Sequence, residues 1–167
     1  LRILNIPVLY FPRIRLPEPG LERAHGFLIP EGVNSTRVGL GLELPYFIPI
    51  GDHKDITLSP LITQKTKTLG LRYRQAFAKG DLEINAALSR DDLGLDATRG
   101  YLFADASFDL ARDYKLDFQL QSTTDNAYLS DYDIADIDRL VSRLSVSRSR
   151  RMKDVDLRFS AFQTLRA

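Results

Sequence analysis

The sequence contains no cysteine and no tryptophan, and it has two histidines among its 167 residues. Without cysteine, a disulfide framework, a thiolate nucleophile and a cysteine metal site are excluded. The sequence also has no excess of charge of one sign, since it contains 23 basic and 22 acidic residues. A nucleic-acid-binding domain usually has a clear basic excess, so we expect no nucleic-acid partner. The longest strongly apolar run, residues 44–50, contains two prolines, whereas a membrane-spanning helix needs about 20 apolar residues. A helical membrane protein is therefore excluded.

Catalytic chemistry finds little support among the residues. A Ser-His-Asp triad needs a histidine in a defined geometry, but His25 lies in a proline-rich stretch and His53 in a turn. The neighbouring carboxylates Asp91 and Asp92 would point in different directions at a strand end. The acidic stretch 125–138 lacks the spacing of an EF-hand loop and is expected to be a plain loop. We expect a protein that is not an enzyme, with no catalytic residue, cofactor or metal.

From Arg37 onward, apolar and polar residues alternate, which is the period of a β-strand with two unlike faces. Turn signals such as Lys79-Gly80-Asp81 separate the alternating runs. The pattern predicts about eight strands after residue 35. Their expected ranges are 37–48, 56–63, 68–77, 82–89, 101–110, 114–121, 139–148 and 154–165. Before them, the pattern predicts a strand over residues 1–12 and a loop-like segment over residues 13–35.

The predicted fold is all-β, an antiparallel up-and-down meander that forms part of an outer-membrane β-barrel. The strands are long compared with the average of about 5–6 residues, and spanning strands of a barrel need about 9–11. Aromatics near strand ends would suit the girdle of such a barrel. They are Tyr46, Phe47, Phe77, Tyr101, Tyr114 and Phe162. A soluble β-barrel that binds an apolar ligand shows the same alternation, as does a small eight-stranded outer-membrane barrel, so both alternatives stay open.

Three stretches together resemble the LptD family of lipopolysaccharide (LPS) assembly proteins, also called organic solvent tolerance proteins. The first is Asn5–Pro12 (NIPVLYFP), followed by Gly26–Pro30 (GFLIP). The second pairs Leu44–Phe47 (LPYF) with Leu58–Pro60 (LSP). The third is Thr124–Tyr132 (TDNAYLSDY). Arg99-Gly100 and the closing Phe162–Leu165 (FQTL) fit the same order.

The resemblance implies an internal fragment of a larger protein. Residues 1–30 would be the end of a periplasmic jelly-roll domain with its linker, and residues 31–167 the first strands of the transmembrane barrel. The protein would be located in the Gram-negative outer membrane and would insert LPS into the outer leaflet through a lateral gate between the first and last strands. Its partners would be LPS, an LptE-type lipoprotein plug, periplasmic LPS-bridge proteins and membrane lipid. The fragment alone would form an open sheet with unpaired edges or, if its strands re-pair, a small closed barrel.

Two prolines lie inside predicted strands, although proline has no N–H to donate to a β-ladder. Each missing hydrogen bond weakens a strand pair by about 1 kcal/mol. By the resemblance, Pro45 and Pro60 would form the lateral gate, together with Pro49, Gly39 and Gly41. The alternatives are ordinary edge strands or bulges for the prolines, and a strongly curved wall for the glycines.

Further positions follow from the resemblance. Phe27, Leu28, Leu44 and Tyr46 would line the LPS path and its junction with the periplasmic domain, with linker packing as the alternative for Phe27 and Leu28. Arginine forks match phosphate geometry, so LPS phosphates could contact the arginines of the polar faces. These are Arg37, Arg72, Arg74 and Arg99, for which solvated charges in the lumen are the alternative.

Overall fold

Nearly every residue that the computed structural model describes lies in or beside a β-strand; it describes residues 2–3, 6–7, 24–91, 98–150 and 153–166. The strands are β1 (Arg2–Ile3), β2 (Ile6–Pro7), β3 (Gly26–Phe27), β4 (Glu31–Ser35), β5 (Gly39–Glu43), β6 (Tyr46–Pro49), β7 (Lys54–Thr63), β8 (Thr66–Phe77), β9 (Gly80–Asp91), β10 (Thr98–Asp109), β11 (Tyr114–Thr123), β12 (Arg139–Arg150) and β13 (Lys153–Thr164). A 3-10 turn, Ala111–Asp113, and one helix, α1 (Tyr128–Asp131), complete the elements. Within these ranges no helix is long and apolar enough to cross a membrane.

Strands β3 to β13 form one antiparallel sheet, while β1 and β2 pair with each other. The order along the sheet is β13-β12-β11-β10-β9-β8-β7-β5-β4, and β6 and β3 continue the lines of β5 and β4. The predicted all-β antiparallel meander is therefore confirmed. Among the described residues, β4 and β13 lie at opposite edges and the sheet stays open. Of the two arrangements expected of a fragment, the open sheet and the small closed barrel, the described residues form the open sheet.

The period-two pattern predicted the strands from β7 onward to within a few residues. The first predicted strand, 37–48, is split into β5 and β6 by a break at Leu44 and Pro45. The loop predicted over 13–35 is wrong where β3 and β4 form, because these residues pair with β6 and β5 although they show little alternation. Most of the strand predicted at 1–12 lies outside the described residues.

The two faces of the sheet differ sharply in chemistry. On the face that we call the apolar face, large side chains meet across neighbouring strands, as Leu69 meets Leu88 and Leu144 meets Phe159. Many of them are exposed, and they include Leu42, Leu44, Ile62, Leu69, Leu88, Leu102, Phe118, Leu144, Leu157 and Phe159. The opposite, polar face carries rows such as Thr57, Arg72 and Asn85. The apolar side of this sheet thus has no layer of the described chain packed over it.

The main buried apolar cluster lies on the polar side. It consists of Tyr128, Leu129, Leu140 and Leu165, with Tyr101, Phe103 and Tyr132 packed around it. Tyr128 and Leu129 belong to the connection between β11 and β12, residues 124–138, which we call the clasp loop. This loop therefore covers part of the polar face.

Gly41 is a position of close approach between β5 and β7. A Cβ atom there would lie 2.5 Å from both the Ile62 carbonyl oxygen and Thr63 Cγ2. We predict that Gly41→Ala lowers the free energy of unfolding by about 1–3 kcal/mol, because backbone must shift to admit the methyl group. Gly32→Ala is the matched control on β4, since nothing lies within 4 Å of its Cβ position. Denaturant unfolding followed by circular dichroism measures both, and equal losses would contradict the prediction.

Candidate functional site

The first hairpin of the large sheet is interrupted in both of its arms. We call residues 26–49 the edge hairpin; its outer arm holds β3 and β4, and its inner arm holds β5 and β6. The outer arm breaks at residues 28–30 and the inner arm at 44–45. Leu28 N–H donates to the Pro45 carbonyl oxygen at 2.8 Å, so the two breaks lie side by side. The hairpin is thus weakest at one level along its length.

Pro60 removes a hydrogen bond from the inner seam, between the edge hairpin and β7. The register is the same on both sides of the break, since Glu43 faces Leu61 and Tyr46 faces Leu58. At the break, Leu44 N–H donates to the Pro60 carbonyl oxygen at 3.0 Å. The return bond that an antiparallel pair normally makes cannot form, because proline has no N–H.

Pro45 removes a hydrogen bond from the opposite side of the same arm. Its carbonyl accepts from Leu28, but its nitrogen has no proton to return. Pro45 therefore weakens the seam inside the hairpin, and Pro60 weakens the seam behind it. Pro49 pairs with Asp55 at the end of β6, where a proline interrupts the ladder least.

Pro30 is a third proline at the same level, and the sequence interpretation did not include it among the site residues. Phe27 faces Tyr46 and Glu31 faces Glu43, so four steps along the outer arm match three along the inner arm. The extra residue makes a bulge in the outer arm beside Pro30. The sequence signal is present in the stretch GFLIP, but the segment around it lacks the alternation that predicts a strand.

The residues predicted for an LPS path lie around these breaks. Phe27 is 75% exposed and packs edge-on against Tyr46, with ring centroids 4.8 Å apart. His25 Nδ1 and the Tyr46 hydroxyl are 3.0 Å apart. Leu28 and Leu44 are both partly exposed, Leu44 on the apolar face. The structure thus brings Phe27, Leu28, Leu44 and Tyr46 together at one edge of the sheet.

The two glycines predicted for the gate have local structural reasons. Gly39 has a φ of +85°, which favours glycine, and its Cβ position lies 3.3 Å from Gln64 Oε1. The space beside Gly41 is filled by Ile62 and Thr63 of β7. The backbone conformation of Gly39 and the close packing of Gly41 against β7 therefore explain why glycine occupies these two positions.

Three of the four arginines predicted to meet phosphates, Arg37, Arg74 and Arg99, are held in ion pairs. Arg74 Nε and Nη2 donate hydrogen bonds to the two oxygens of the buried Asp55 carboxylate at 3.0 and 3.1 Å. Arg37 Nη1 donates to Asp131 Oδ1 at 2.6 Å. Arg72 is exposed and lines a cavity of about 410 Å³ between the edge hairpin, the polar face and the clasp loop. Of the four, Arg72 is the one that lines this cavity.

Arg99 lies on the polar face near the start of β10 and is 5% exposed. Its Nε and Nη2 donate to the two carboxylate oxygens of Asp125 at 2.8 Å each. Nη2 also donates to Asp131 Oδ2 at 2.9 Å, and Nη1 donates to Asp91 Oδ2 at 3.2 Å. Its guanidinium carbon lies 5.5 Å from the centre of the Tyr128 ring. One buried cation thus joins β9 to the segment just before helix α1 and to the last residue of α1.

A chain of hydroxyl groups extends this cluster. The Tyr132 hydroxyl donates to Asp91 at 2.9 Å and lies 2.6 Å from Thr66 Oγ1. The Tyr128 hydroxyl lies 2.6 Å from Ser89 Oγ, which is 2.6 Å from Thr68 Oγ1. Burial raises the pKa of Tyr128 to about 12, so this hydroxyl stays protonated at neutral pH. Hydrogen bonds from Arg99 lower the pKa of Asp125 below its usual value.

Comparison with known proteins gives consistent matches. The family model described as LptD, LPS transport system D, matches residues 97–167. The LPS-assembly protein LptD of Thiobacillus denitrificans is 28% identical over 99% of this chain and 23% of its own length. The proteins of the same name from Hahella chejuensis and Psychrobacter arcticus are 28% and 27% identical, over 93% and 99% of this chain. The chain spans about a fifth of the length of these relatives. The resemblance to the LptD family is confirmed.

The Arg99 cluster should be sensitive to loss of its cation. We predict that Arg99→Ala lowers the free energy of unfolding by about 3–5 kcal/mol, because three carboxylates lose a buried partner. The matched control is Arg150→Ala, which breaks an exposed ion pair with Asp113 and should cost less than about 1 kcal/mol. Thermal unfolding of the three proteins measures the difference; a small loss in Arg99→Ala would contradict the cluster's importance.

The lowered pKa of Asp125 predicts acid sensitivity of the clasp loop. Because this carboxyl has a lower pKa folded than unfolded, its stabilisation is complete above the usual value of 3.8 and is lost as the pH falls through the folded value. We expect the near-ultraviolet circular dichroism signal of the packed tyrosines to be lost when the pH drops below the folded pKa of Asp125. Asp125→Asn should show a weaker acid transition, and identical titrations would contradict the assignment.

Proposed function

We propose that this chain, a fragment of an LptD-family protein, forms the first strands of an outer-membrane barrel that assembles LPS into the outer leaflet. Its relatives are LPS-assembly proteins by name. The role is transport and is not enzymatic. Residues 1–30 would be the end of the periplasmic domain with its linker, and residues 31–167 the first barrel strands; in the described part of the chain, Gly26–Phe27 of the linker already pairs with β6.

The exposed apolar face is the observation that carries this proposal. Leu88 is 61% exposed and Phe159 is 69% exposed, and both lie on the apolar face, whose large exposed side chains extend from Leu42 in β5 to Phe159 in β13. In water such a patch is unfavourable, whereas a bilayer solvates it. The buried Arg99 cluster and the hydroxyl chain lie on the other side. A soluble barrel that binds an apolar ligand would need the opposite arrangement, with its apolar face inward.

The connections between strands support one orientation. The longest ones, 92–97 and 124–138, leave the sheet at the same end. Outer-membrane barrels have short periplasmic turns and longer extracellular loops. The edge hairpin begins at Gly26, at the end with the shorter turns, as expected for a chain that arrives from a periplasmic domain. The clasp loop would then fold into the barrel lumen from the extracellular side.

The edge hairpin is the proposed gate. In the complete barrel its outer arm would face the last strand, which lies beyond this chain. The first two strands hold Pro30 and Pro45, and Pro60 lies in the third, β7. Missing donors on both sides of the inner arm let the hairpin separate at small cost, because each absent bond is worth about 1 kcal/mol. LPS could leave the lumen there without moving its acyl chains through a paired wall.

The proposed partners follow from the two faces. The apolar face would contact membrane lipid, and the cavity beside Arg72 would admit polar parts of LPS. An LptE-type plug would occupy the lumen, and periplasmic bridge proteins would deliver LPS and the energy for transport. Because Arg37 and Arg74 are engaged by aspartates, Arg72 is the preferred candidate for a phosphate contact.

Photocrosslinking in cells tests the transport proposal. A photoreactive residue would replace Ile29, which is 84% exposed beside the break, or Leu44, which is 38% exposed. The matched control is Leu144, also 38% exposed and on the apolar face, but in β12. In the full-length protein we expect LPS adducts at Ile29 and Leu44 and few at Leu144. Equal adducts at all three positions, or none, would sink the gate proposal.

A further inference from the structure

We propose that the clasp loop positions the edge hairpin by holding its turn against the polar face. Arg99 is the anchor of the loop, and Arg37 and Ser35 are the positioning residues of the hairpin. The contact itself does not depend on what the barrel transports, but its consequence for LPS release rests on the proposed function.

The anchor is strong because it is buried and multiple. The side chains of Arg99, Asp91 and Asp131 are 5%, 1% and 8% exposed. The fork between Arg99 and Asp125 fixes the loop just before α1, and Asp131 fixes it at the end of α1. Leu129, between them, is 1% exposed within the apolar cluster. The loop is thus a fixed part of the polar face.

The contact with the hairpin is weaker, and the same carboxylate makes it. Asp131 accepts from Arg99 on Oδ2 and from Arg37 on Oδ1. The Ser35 hydroxyl donates to Asp133 Oδ2 at 3.1 Å. The side chain of Arg37 is 62% exposed, so water competes for this ion pair. A fixed loop therefore holds the hairpin through a reversible contact.

The contact lies at the turn of the hairpin, away from the proline breaks. Ser35 ends β4 and Arg37 lies in the turn before β5, whereas the breaks lie at residues 28–30 and 44–45. Between them, β4 and β5 pair continuously from Glu31 to Ser35. With the turn held by the clasp loop, the hairpin is fixed on both sides of the breaks, because β3 and β6 are paired on the other side. With the turn released, β5 is still paired with β7 from Gly41 to Glu43, and Thr63 Oγ1 still donates to the Val38 carbonyl oxygen at 2.6 Å. Once this short seam also opens, β4 and β5 can move as one unit about the breaks.

Distance measurement by electron paramagnetic resonance tests the clasp in the full-length protein. Spin labels at Thr36 and Asn126, which are exposed, report the separation of the turn and the loop. We expect one narrow distribution in the unmodified sequence. Arg37→Ala should raise the population at longer distances about two- to fivefold, the effect of losing a partly exposed ion pair. Arg37→Lys, which keeps the charge, should restore most of the short distance.

The matched control is Arg150→Ala, which breaks an ion pair at the other end of the sheet. Unchanged distances in Arg37→Ala, or an equal change in Arg150→Ala, would overturn the clasp. Arg37 and Ser35 are exposed or half-buried, so their variants should fold even where Arg99→Ala does not. Ser35→Ala is the second variant and should shift the distances in the same direction.

Photocrosslinking at Ile29 in the Arg37→Ala background separates the two proposals. If both hold, LPS adducts increase along with the longer distances. If the clasp holds and the transport proposal fails, the distances lengthen and no LPS adducts form in either background. If transport holds and the clasp fails, adducts form equally in both backgrounds and the distances stay the same.

Discussion

The buried guanidinium of Arg99 is the interaction on which the polar side of this sheet depends. Removing a cation and three carboxylates from water is costly, and only the mutual pairing of all four groups offsets the cost. The pairing brings together residues that lie 8, 26 and 32 positions apart in the chain. The tyrosines and leucines of the clasp loop can pack on the polar face because their polar neighbours are satisfied there. The buried apolar cluster therefore lies where the charged groups are paired with one another.

The other side of the sheet follows a simpler rule. A strand exposes alternate side chains to alternate faces, and residue order alone decides which face is apolar. For this reason the sequence predicted β7 to β13 and the all-β meander. It missed β3 and β4, since a strand with glycine and proline has almost no alternation and is held by its neighbour. The predicted aromatic girdle is wrong for Tyr101, whose ring packs against Phe103 and Tyr128 on the polar face.

The candidate site shows the same division. The unusual positions of Pro45 and Pro60 were visible in the sequence, because proline is rare inside regular strands. Which seam each one weakens could not be read from the sequence, since that depends on which neighbour its nitrogen faces. The phosphate role predicted for Arg37 and Arg74 overlooked their aspartate partners, which lie 94 and 19 positions away. Long-range ion pairs leave no periodic signal, so arginine chemistry was the least predictable part of the site.

Asp131 serves two arginines with one carboxylate, and this sharing has a thermodynamic consequence. Two equilibria that use one group are linked, and the linkage is reciprocal. A ligand that displaces the edge hairpin changes the affinity of Asp131 for Arg99, and any factor that alters the Arg99 cluster changes the cost of displacing the hairpin by the same free energy. The Arg99 cluster and the edge hairpin would then be thermodynamically coupled through a single carboxylate, with no change required in the strands between them.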